Sequence, residues 1–242
     1  MHRFYVPHLR PRDGNIQLTG PTYEQIRRVL RMRPGDHVAV FDGGGREYHL
    51  TLGEFGKGEV YGRIVEQYDV ATEARCQVVM YMSLLNKSEK FEWALQKCTE
   101  LGAAHFVPVI VARSVTSSAR TERWERIIQE AVEQSGRGLL PSISSALPFQ
   151  QAVQQAVEQP SLALMPEVTG EQPLGEVLAH SPSTHDTVSL FIGPEGGFTP
   201  EEQDFARRQG VELVKMGPRV LRAETAAVVA LTITLERLGE LG

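Results

Sequence analysis

The chain has 242 residues, of which 41% are hydrophobic and 23% are charged, a composition typical of a globular protein that buries a core. Global disorder is therefore excluded, and no apolar run approaches the roughly 20 residues that a membrane-spanning helix needs. Two cysteines, Cys76 and Cys98, exclude a disulfide framework and a cysteine-rich zinc site, and they favour the reducing cytoplasm. The N-terminal residues lack the hydrophobic stretch of a secretory signal.

The net charge of −5 is unevenly distributed along the chain. Within the first 33 residues, seven arginines face only two carboxylates, which gives this segment a charge of +5. Arginine suits bidentate contact with phosphate, so the segment is a candidate nucleic-acid surface. The alternative is a solvated face in an arginine-rich protein, and charge alone does not separate the two.

Residues 1–70 predict a small β-barrel, because short apolar or alternating runs are separated by turn signals such as Gly43-Gly44-Gly45. The predicted strands are 4–6, 15–18, 37–41, 47–55 and 59–65, and a helix is predicted over 23–32. The polar stretch 66–75 marks a boundary, so we expect one domain over residues 1–70 and a second over 74–242.

After this boundary strands alternate with helices, which is typical of an α/β domain with a covered parallel sheet. The predicted strands are 77–84, 106–111, 161–165, 188–192 and 212–216. Helices are predicted behind a capping box of Asn86 and Glu89, over 124–135, and over 224–238. The last helix is apolar nearly all round, which predicts a cover on both sides, the second supplied by another subunit.

Two strand-to-helix loops stand out as candidate sites. In the first, a buried strand runs into Gly193-Pro-Glu-Gly-Gly, and a helix then begins with Thr199 as N-cap and Glu202 closing a capping box. In the second, Arg219, Arg222 and Glu224 bracket an apolar pair. Ligands of α/β sheets bind at the carboxyl ends of strands, and glycines let backbone amides approach them. Well-made turns and helix-terminus electrostatics are the alternative interpretation.

The segments Ile192-Gly-Pro-Glu-Gly-Gly-Phe and Gly217-Pro-Arg-Val-Leu-Arg-Ala-Glu-Thr-Ala resemble the two signatures of the RsmE family, SPOUT-class methyltransferases that act on 16S ribosomal RNA. Arg3-Phe-Tyr-Val and the stretch from Lys87 to Gly102 agree with this resemblance, as does Glu133-Gln-Ser-Gly-Arg. The family implies an N-terminal PUA-like barrel for RNA and a C-terminal α/β domain tied in a trefoil knot. It also implies S-adenosylmethionine as cofactor, a homodimer, and methylation of uridine N3.

The resemblance assigns roles to particular residues. The implied cofactor-binding residues are Leu164, Met165, Pro166, Ile192, Gly193, Glu195, Gly196, Met216, Gly217, Val220, Leu221 and Thr225. The arginines predicted to contact RNA, most of them from the basic N-terminal segment, are Arg3, Arg10, Arg28, Arg31, Arg33, Arg113 and Arg137. Arg219 and Arg222 suit stabilisation of a uridine anion, while Glu195 and Glu224 either act as a base, orient an arginine or bind the cofactor.

Two other functions remain open from the sequence. A non-catalytic ribosome-binding protein predicts a basic N-terminal domain, but it does not require two elaborate loops at one sheet edge. A ribose 2′-O-methyltransferase of the same superfamily is the second, and the Gly-Pro-Glu-Gly-Gly and Arg-Ala-Glu-Thr-Ala forms argue against it. The seven histidines are scattered, so we expect no metal ion, and we expect no membrane partner.

Overall fold

The computed structural model describes residues 1–114, 120–158, 161–180 and 186–241. The chain divides into two compact units. The first contains Met1–Glu73 together with Val132–Leu140, and the second contains Ala74–Ala131 together with Pro141–Gly242. Residues 132–140 thus join the first unit although they lie within the predicted second domain. The domain limits of 1–70 and 74–242 remain a prediction.

The first unit is built on a five-stranded sheet of order β1-β3-β4-β5-β2. Its strands are β1 (His2–Tyr5), β2 (Asn15–Thr19), β3 (His37–Phe41), β4 (Arg46–Phe55) and β5 (Glu59–Asp69). The β1–β3 pair is parallel and the others are antiparallel. A short helix α1 (Gly20–Glu24) and a π-helical turn (Gln25–Val29) join β2 to β3, where one longer helix was predicted. Phe4, Ile26 and Leu50 are among its fully buried side chains.

The second unit is built on a parallel sheet of order β11-β13-β10-β12-β6-β7-β8, with β9 also paired to β7. Its strands are β6 (Gln77–Ser83), β7 (His105–Ile110), β8 (Ser142–Ile143), β9 (Leu147–Pro148), β10 (Ser161–Pro166), β11 (Gln172–Pro173), β12 (Thr187–Ile192) and β13 (Glu212–Lys215). Its helices are α2 (Ser88–Leu101), α3 (Thr121–Ser135), α4 (Phe149–Glu158), α5 (Leu174–His180), α6 (Pro200–Gln209) and α7 (Ala223–Arg237), of which α3 ends in the first unit.

The sheet of the second unit is covered on both faces. Helices α4 and α6 pack on one face, where Tyr81 stacks on Phe191 with ring centroids 4.5 Å apart. Helices α2, α5 and α7 pack together, and α7 contacts the central strands β6 and β12. Because both faces are buried, the strands carry apolar side chains in both directions, as the sequence predicts. The α/β fold class with a second, smaller β-rich unit is confirmed.

Two local predictions about helix starts have opposite outcomes. Thr199 caps α6 as predicted, because its side chain accepts a hydrogen bond from Glu202 N while the Glu202 side chain accepts one from Thr199 N. The capping box of Asn86 and Glu89 is wrong. Helix α2 begins at Ser88 with Lys87 as N-cap, and no side chain caps it. The Asn86 backbone amide instead donates to Glu195 Oε2 at 3.4 Å.

The final helix is covered mainly from one side within the protomer. Ala227, Ala230 and Leu231 are buried, whereas Val228 and Val229 on its other side are only partly buried. Helices α4 and α5 and the two-residue strands have no counterpart in the sequence prediction. Within the described residues, no helix is both long enough and apolar enough to cross a membrane.

Candidate active site

A cavity of about 380 Å³ lies in the second unit at the carboxyl ends of β10, β12 and β13. Three strand-end loops form most of its wall, at residues 166–168, 193–198 and 216–221. The start of α7 and Arg113, from the loop after β7, complete it. This is the sheet edge at which ligands of parallel α/β proteins bind.

The glycine-rich loop owes its shape to close packing rather than to flexibility. A Cβ at Gly193 would lie 3.2 Å from the Phe198 ring, and Gly197 has a φ of +67°, which disfavours any other residue. Beyond the end of this loop, the Glu202 side chain of α6 connects it to the loop after β7. Its Oε2 accepts from Thr199 N and its Oε1 accepts from Ala112 N, both at 2.8 Å. The loops after β7 and β12 are therefore held together by one carboxylate.

Glu167 is held in the cavity wall by a tight turn at the end of β10. Its backbone N–H donates to Val214 O at 2.8 Å, and its carbonyl accepts from Gly170 N at 3.1 Å. Only glycine fits at position 170, because a Cβ there would lie 2.3 Å from the Val214 carbonyl carbon. The Glu167 carboxylate accepts a long hydrogen bond of 3.4 Å from Phe198 N. Burial raises the pKa of this carboxyl, and the backbone hydrogen bonds and the charge of Arg113 only partly oppose that rise.

Arg113 contacts the same glycine-rich loop as Glu167. Its guanidinium donates to the Gly196 carbonyl, and its side chain runs along the loop. A Cβ at Gly196 would lie 3.1 Å from Arg113 Cδ, so the missing side chain leaves the space that Arg113 occupies. The cavity thus carries a carboxylate and a guanidinium close to the same stretch of backbone.

A second charged cluster lies beside the cavity, around Lys90 of α2. The Lys90 Nζ is 3.5 Å from Glu195 Oε1 and 3.9 Å from Glu224 Oε1, so one ammonium serves two carboxylates. The side chains of Glu195 and Glu224 are 27% and 14% exposed. Glu224 Oε2 is buried, and no described residue forms a hydrogen bond with it. This cluster places two carboxylates and one cation next to the glycine-rich loop, to which Glu195 itself belongs.

Comparison with known proteins decides the family. A family model described as an RNA methyltransferase domain matches residues 72–235, and a model of an RNA methyltransferase PUA domain matches residues 18–65. The chain is 34% identical to the ribosomal RNA small subunit methyltransferase E of Synechocystis, an alignment that covers 90% of this chain and 72% of that protein. The Bacillus subtilis protein of the same name is 33% identical, with coverage of 90% and 88%. The chain belongs to the ribosomal RNA small subunit methyltransferase E family.

A solved structure of the same family supports the fold. The enzyme of Neisseria gonorrhoeae, bound to S-adenosyl methionine, superposes with a TM-score of 0.87 at 28% identity, covering 98% of this chain and 97% of that one. The family resemblance drawn from the two loop signatures is confirmed. The trefoil knot that the family resemblance implies remains a prediction.

The cavity contains most of the cofactor residues predicted for this family. Pro166, Gly193, Glu195, Gly196, Met216, Gly217, Val220 and Leu221 line it. The others lie elsewhere. Leu164, Met165 and Ile192 are buried in strands β10 and β12 behind the wall, and Thr225 is exposed on the first turn of α7. Among the predicted catalytic residues, Arg219 and Glu195 line the cavity, Arg222 is the exposed N-cap of α7, and Glu224 lies in the charged cluster.

The predicted RNA-binding arginines fall into three groups. Arg10, Arg28, Arg31 and Arg33 are exposed in the first unit. Arg113 is in the cavity wall of the second unit. Arg3 and Arg137 are used inside the first unit instead.

The internal roles of these two arginines rest on specific contacts. Arg3 pairs with Glu47, stacks over the Phe41 ring at 3.7 Å and donates to the Val132 carbonyl at 2.7 Å. Arg137 is 5% exposed and pairs with Glu73. Guanidinium groups already held by carboxylates and carbonyls of the fold have few donors left for phosphate.

Sequence reasoning missed two residues of this site. Glu167 follows a predicted strand directly, so its place at a strand end was a usable signal. Lys90 falls within a stretch that supported the family resemblance, but helix periodicity alone marks it only as a polar position. Within the described residues, no three histidine, cysteine, aspartate or glutamate side chains gather as metal ligands.

Proposed function

We propose that this protein transfers a methyl group from S-adenosylmethionine to N3 of a uridine in 16S ribosomal RNA. The observation that carries the proposal is the cavity at the strand ends, lined by glycine backbone and by charged side chains of both signs. The family name of its relatives supports ribosomal RNA of the small subunit as substrate. The cofactor-bound relative supports the choice of methyl donor.

The cavity fits this cofactor in size and chemistry. Its volume of about 380 Å³ falls in the range of small-molecule sites. Gly196 has no side chain, so Arg113 packs closely against its backbone in the cavity wall, and Leu221 and Val220 offer apolar surface to an adenine ring. Glu167 and Glu195 provide negative charge for a ligand that carries a sulfonium. When bound, S-adenosylmethionine supplies an electrophilic methyl group with a neutral thioether as leaving group.

The remaining chemistry belongs to the protein. Uridine N3 lies on the Watson–Crick edge, so the target base must be unpaired or splayed out of its stack. N3 becomes nucleophilic only when its proton leaves, and negative charge then spreads onto O2 and O4. The site must therefore hold the base in place, accept the proton and stabilise the anion.

Four charged residues are available for these tasks. Arg219 in the cavity wall and Arg222 at the start of α7 are cations that can face the developing anion. Glu195 is the candidate base with direct access to the cavity, and Lys90 and the Asn86 amide orient it. Glu224 shares Lys90 with Glu195, so its charge influences how strongly Lys90 holds Glu195.

We assign RNA binding to the first unit, which matches the PUA family model. Its exposed arginines Arg10, Arg28, Arg31 and Arg33 are the phosphate contacts that we propose. Replacing them by glutamine should lower RNA affinity and reduce the slope of log affinity against log salt by about 0.7–0.9 for each lost contact. A filter-binding titration at several salt concentrations measures that slope. An unchanged slope would mean that other residues contact the RNA phosphates.

We further infer a homodimer that acts in the cytoplasm, where ribosomal subunits are assembled. The partly buried Val228 and Val229 on α7 are the surface that we assign to the subunit contact. Sedimentation at micromolar concentration tests this. A monomer at all concentrations would remove the inference.

Transfer of labelled methyl groups tests the function itself. Small ribosomal subunits or free 16S RNA lacking the modification are incubated with labelled S-adenosylmethionine and the protein. The proposal predicts label in the RNA with the wild-type protein and none with Gly196→Val, whose side chain would enter the space beside Arg113. Failure of the wild-type protein to label either substrate would contradict the proposal.

A further inference from the structure

Glu167 and Arg113 are two charged residues of the cavity that have no part in the proton transfer or anion stabilisation proposed above. Both side chains line the cavity, and each holds the same loop through the backbone. Arg113 donates to the Gly196 carbonyl, and Glu167 accepts from the Phe198 amide. No ion pair within 4.0 Å joins them among the described contacts. Opposite charges therefore line the same cavity without forming a direct ion pair.

Both groups are held by the fold. The Glu167 backbone amide donates to Val214 O, and the Glu167 carbonyl accepts from Gly170 N in a turn where position 170 has room only for glycine. Arg113 follows the loop that Glu202 clamps through the Ala112 amide. Side chains fixed in this way lose little freedom when a ligand binds, so they are suited to recognition.

The ionised Glu167 carboxylate is destabilised by its partial burial. Glu167 is partly buried, and its contacts with the Phe198 and Val168 amides and with the charge of Arg113 do not offset its desolvation, because its pKa remains raised. A group that is destabilised in the free protein gains most from a ligand that brings a positive charge or a hydrogen-bond donor. The carboxylate thus points to a cationic ligand group in this part of the cavity.

We propose that Glu167 and Arg113 together recognise the amino-acid end of the cofactor, with Glu167 binding the α-ammonium and Arg113 the α-carboxylate. This rests on the proposed function. An ammonium and a carboxylate on one carbon match a carboxylate and a guanidinium that contact the same loop of the cavity wall. Binding of ribose hydroxyls by Glu167 would account for the carboxylate but would leave Arg113 only its contact with the Gly196 carbonyl.

The proposal makes these two residues determinants of cofactor choice. A cofactor fragment without the amino-acid end should gain nothing from them. Contacts to charged groups of this kind change affinity by about 10- to 100-fold. Adenine recognition, which we assign to the loops at 193–197 and 216–221, should be independent of them.

The test is calorimetric binding of two cofactor-derived ligands to the full chain. S-adenosylhomocysteine keeps the amino-acid end, and 5′-methylthioadenosine lacks it. Wild type, Glu167→Gln, Arg113→Gln and the control variants Glu171→Gln and Arg208→Gln, which change exposed residues, are compared. We expect Glu167→Gln and Arg113→Gln to weaken S-adenosylhomocysteine about tenfold or more and to change 5′-methylthioadenosine less than about twofold. The controls should match wild type.

Three results would overturn the proposal. Equal losses for both ligands would mean that the pair contacts the nucleoside or only shapes the cavity. No loss for either ligand would mean that the pair does not bind the cofactor. A methylthioadenosine affinity equal to that of S-adenosylhomocysteine in wild type would mean that the amino-acid end is not recognised.

Arg113 can be tested separately. Decarboxylated S-adenosylmethionine lacks only the carboxylate, so wild type should prefer S-adenosylmethionine and Arg113→Gln should lose that preference. Persistence of the preference in Arg113→Gln would contradict the role of Arg113. If wild type binds none of these ligands, the proposed function itself fails, which is a different outcome from any of those above.

Discussion

Replacing Glu73 by glutamine removes the charge that balances a buried arginine in the first unit. Arg137 is 5% exposed, and its Nε lies 3.2 Å from Glu73 Oε2. The same carboxylate accepts backbone hydrogen bonds from Gly138 at 3.1 Å and Leu139 at 3.2 Å. Burial alone would raise the pKa of Glu73, but the hydrogen bond and charge of Arg137, together with hydrogen bonds from Leu139 and Thr72, outweigh it and hold the pKa below its usual value.

The contacts set the size of the expected loss. Removing one partner of a buried ion pair costs about 3–5 kcal/mol, because the other charge remains buried and unpaired. The Glu73 side chain is 18% exposed, so we take the lower end, about 3 kcal/mol. For a chain of this length, that corresponds to a fall of roughly 6–12 °C in melting temperature.

Equilibrium unfolding in urea measures the loss, with Glu66→Gln as control because that side chain is 65% exposed. The control should change the free energy of unfolding by less than about 0.5 kcal/mol. Because the folded pKa of Glu73 is depressed, its stabilisation is full above the unfolded pKa of about 4.3 and is lost as the pH falls through the folded pKa. The difference between wild type and Glu73→Gln should therefore shrink in acid. A loss below about 1 kcal/mol at neutral pH would refute the reasoning and leave Arg137 available for RNA.

Three further predictions concern the cavity. Gly196→Val should abolish cofactor binding in calorimetry while circular dichroism stays native, since the added side chain meets the Arg113 side chain rather than backbone; unchanged affinity would contradict this. Glu167→Gln should raise the melting temperature of the ligand-free protein, more at pH 8 than at pH 4, because a raised folded pKa means that the ionised carboxylate destabilises the fold at high pH. The same difference in melting temperature between variant and wild type at both pH values would contradict this. Arg222→Ala should lower the single-turnover methylation rate by about 10²–10³-fold, by analogy with loss of one anion-stabilising donor, and leave RNA affinity largely intact; a parallel loss of RNA affinity would make Arg222 a phosphate contact.

The sequence was most informative where local chemistry determines structure. Helix α6 was predicted correctly because Thr199 and Glu202 form a capping box that needs no distant partner. The start of α2 was wrong because Asn86 resembled a cap in isolation. In the structure its amide donates to Glu195, which is more than 100 residues away in sequence. A hydrogen-bond partner so distant in sequence cannot be predicted from the local sequence pattern.

The same distinction explains the arginines. The prediction of RNA contacts treated Arg3 and Arg137 like the exposed arginines, yet Arg3 pairs with Glu47 of another strand and Arg137 with Glu73. These partners lie 44 and 64 positions away, so only the folded chain separates internal arginines from exposed ones. Helices α4 and α5 were missed because their sequences carry no strong start signal.

The cavity was anticipated through its loops but not through its charges. Strand-end loops of a parallel sheet meet at one edge, which is why residues 193–197 and 216–221 could be linked before the structure was known. Glu167 and Lys90 acquire their importance from neighbours on other elements. Lys90, on α2, faces two carboxylates from different loops.

Mass spectrometry of nucleosides tests the central claim most directly. Small ribosomal subunits that lack the modification are incubated with S-adenosylmethionine and wild-type protein, and the RNA is digested to nucleosides. Methylation at uridine N3 predicts one new nucleoside, 3-methyluridine, absent from the reaction with Gly196→Val. A ribose-methylated nucleoside would contradict the proposed chemistry, and the absence of any methylated product would identify a ribosome-binding protein without this activity.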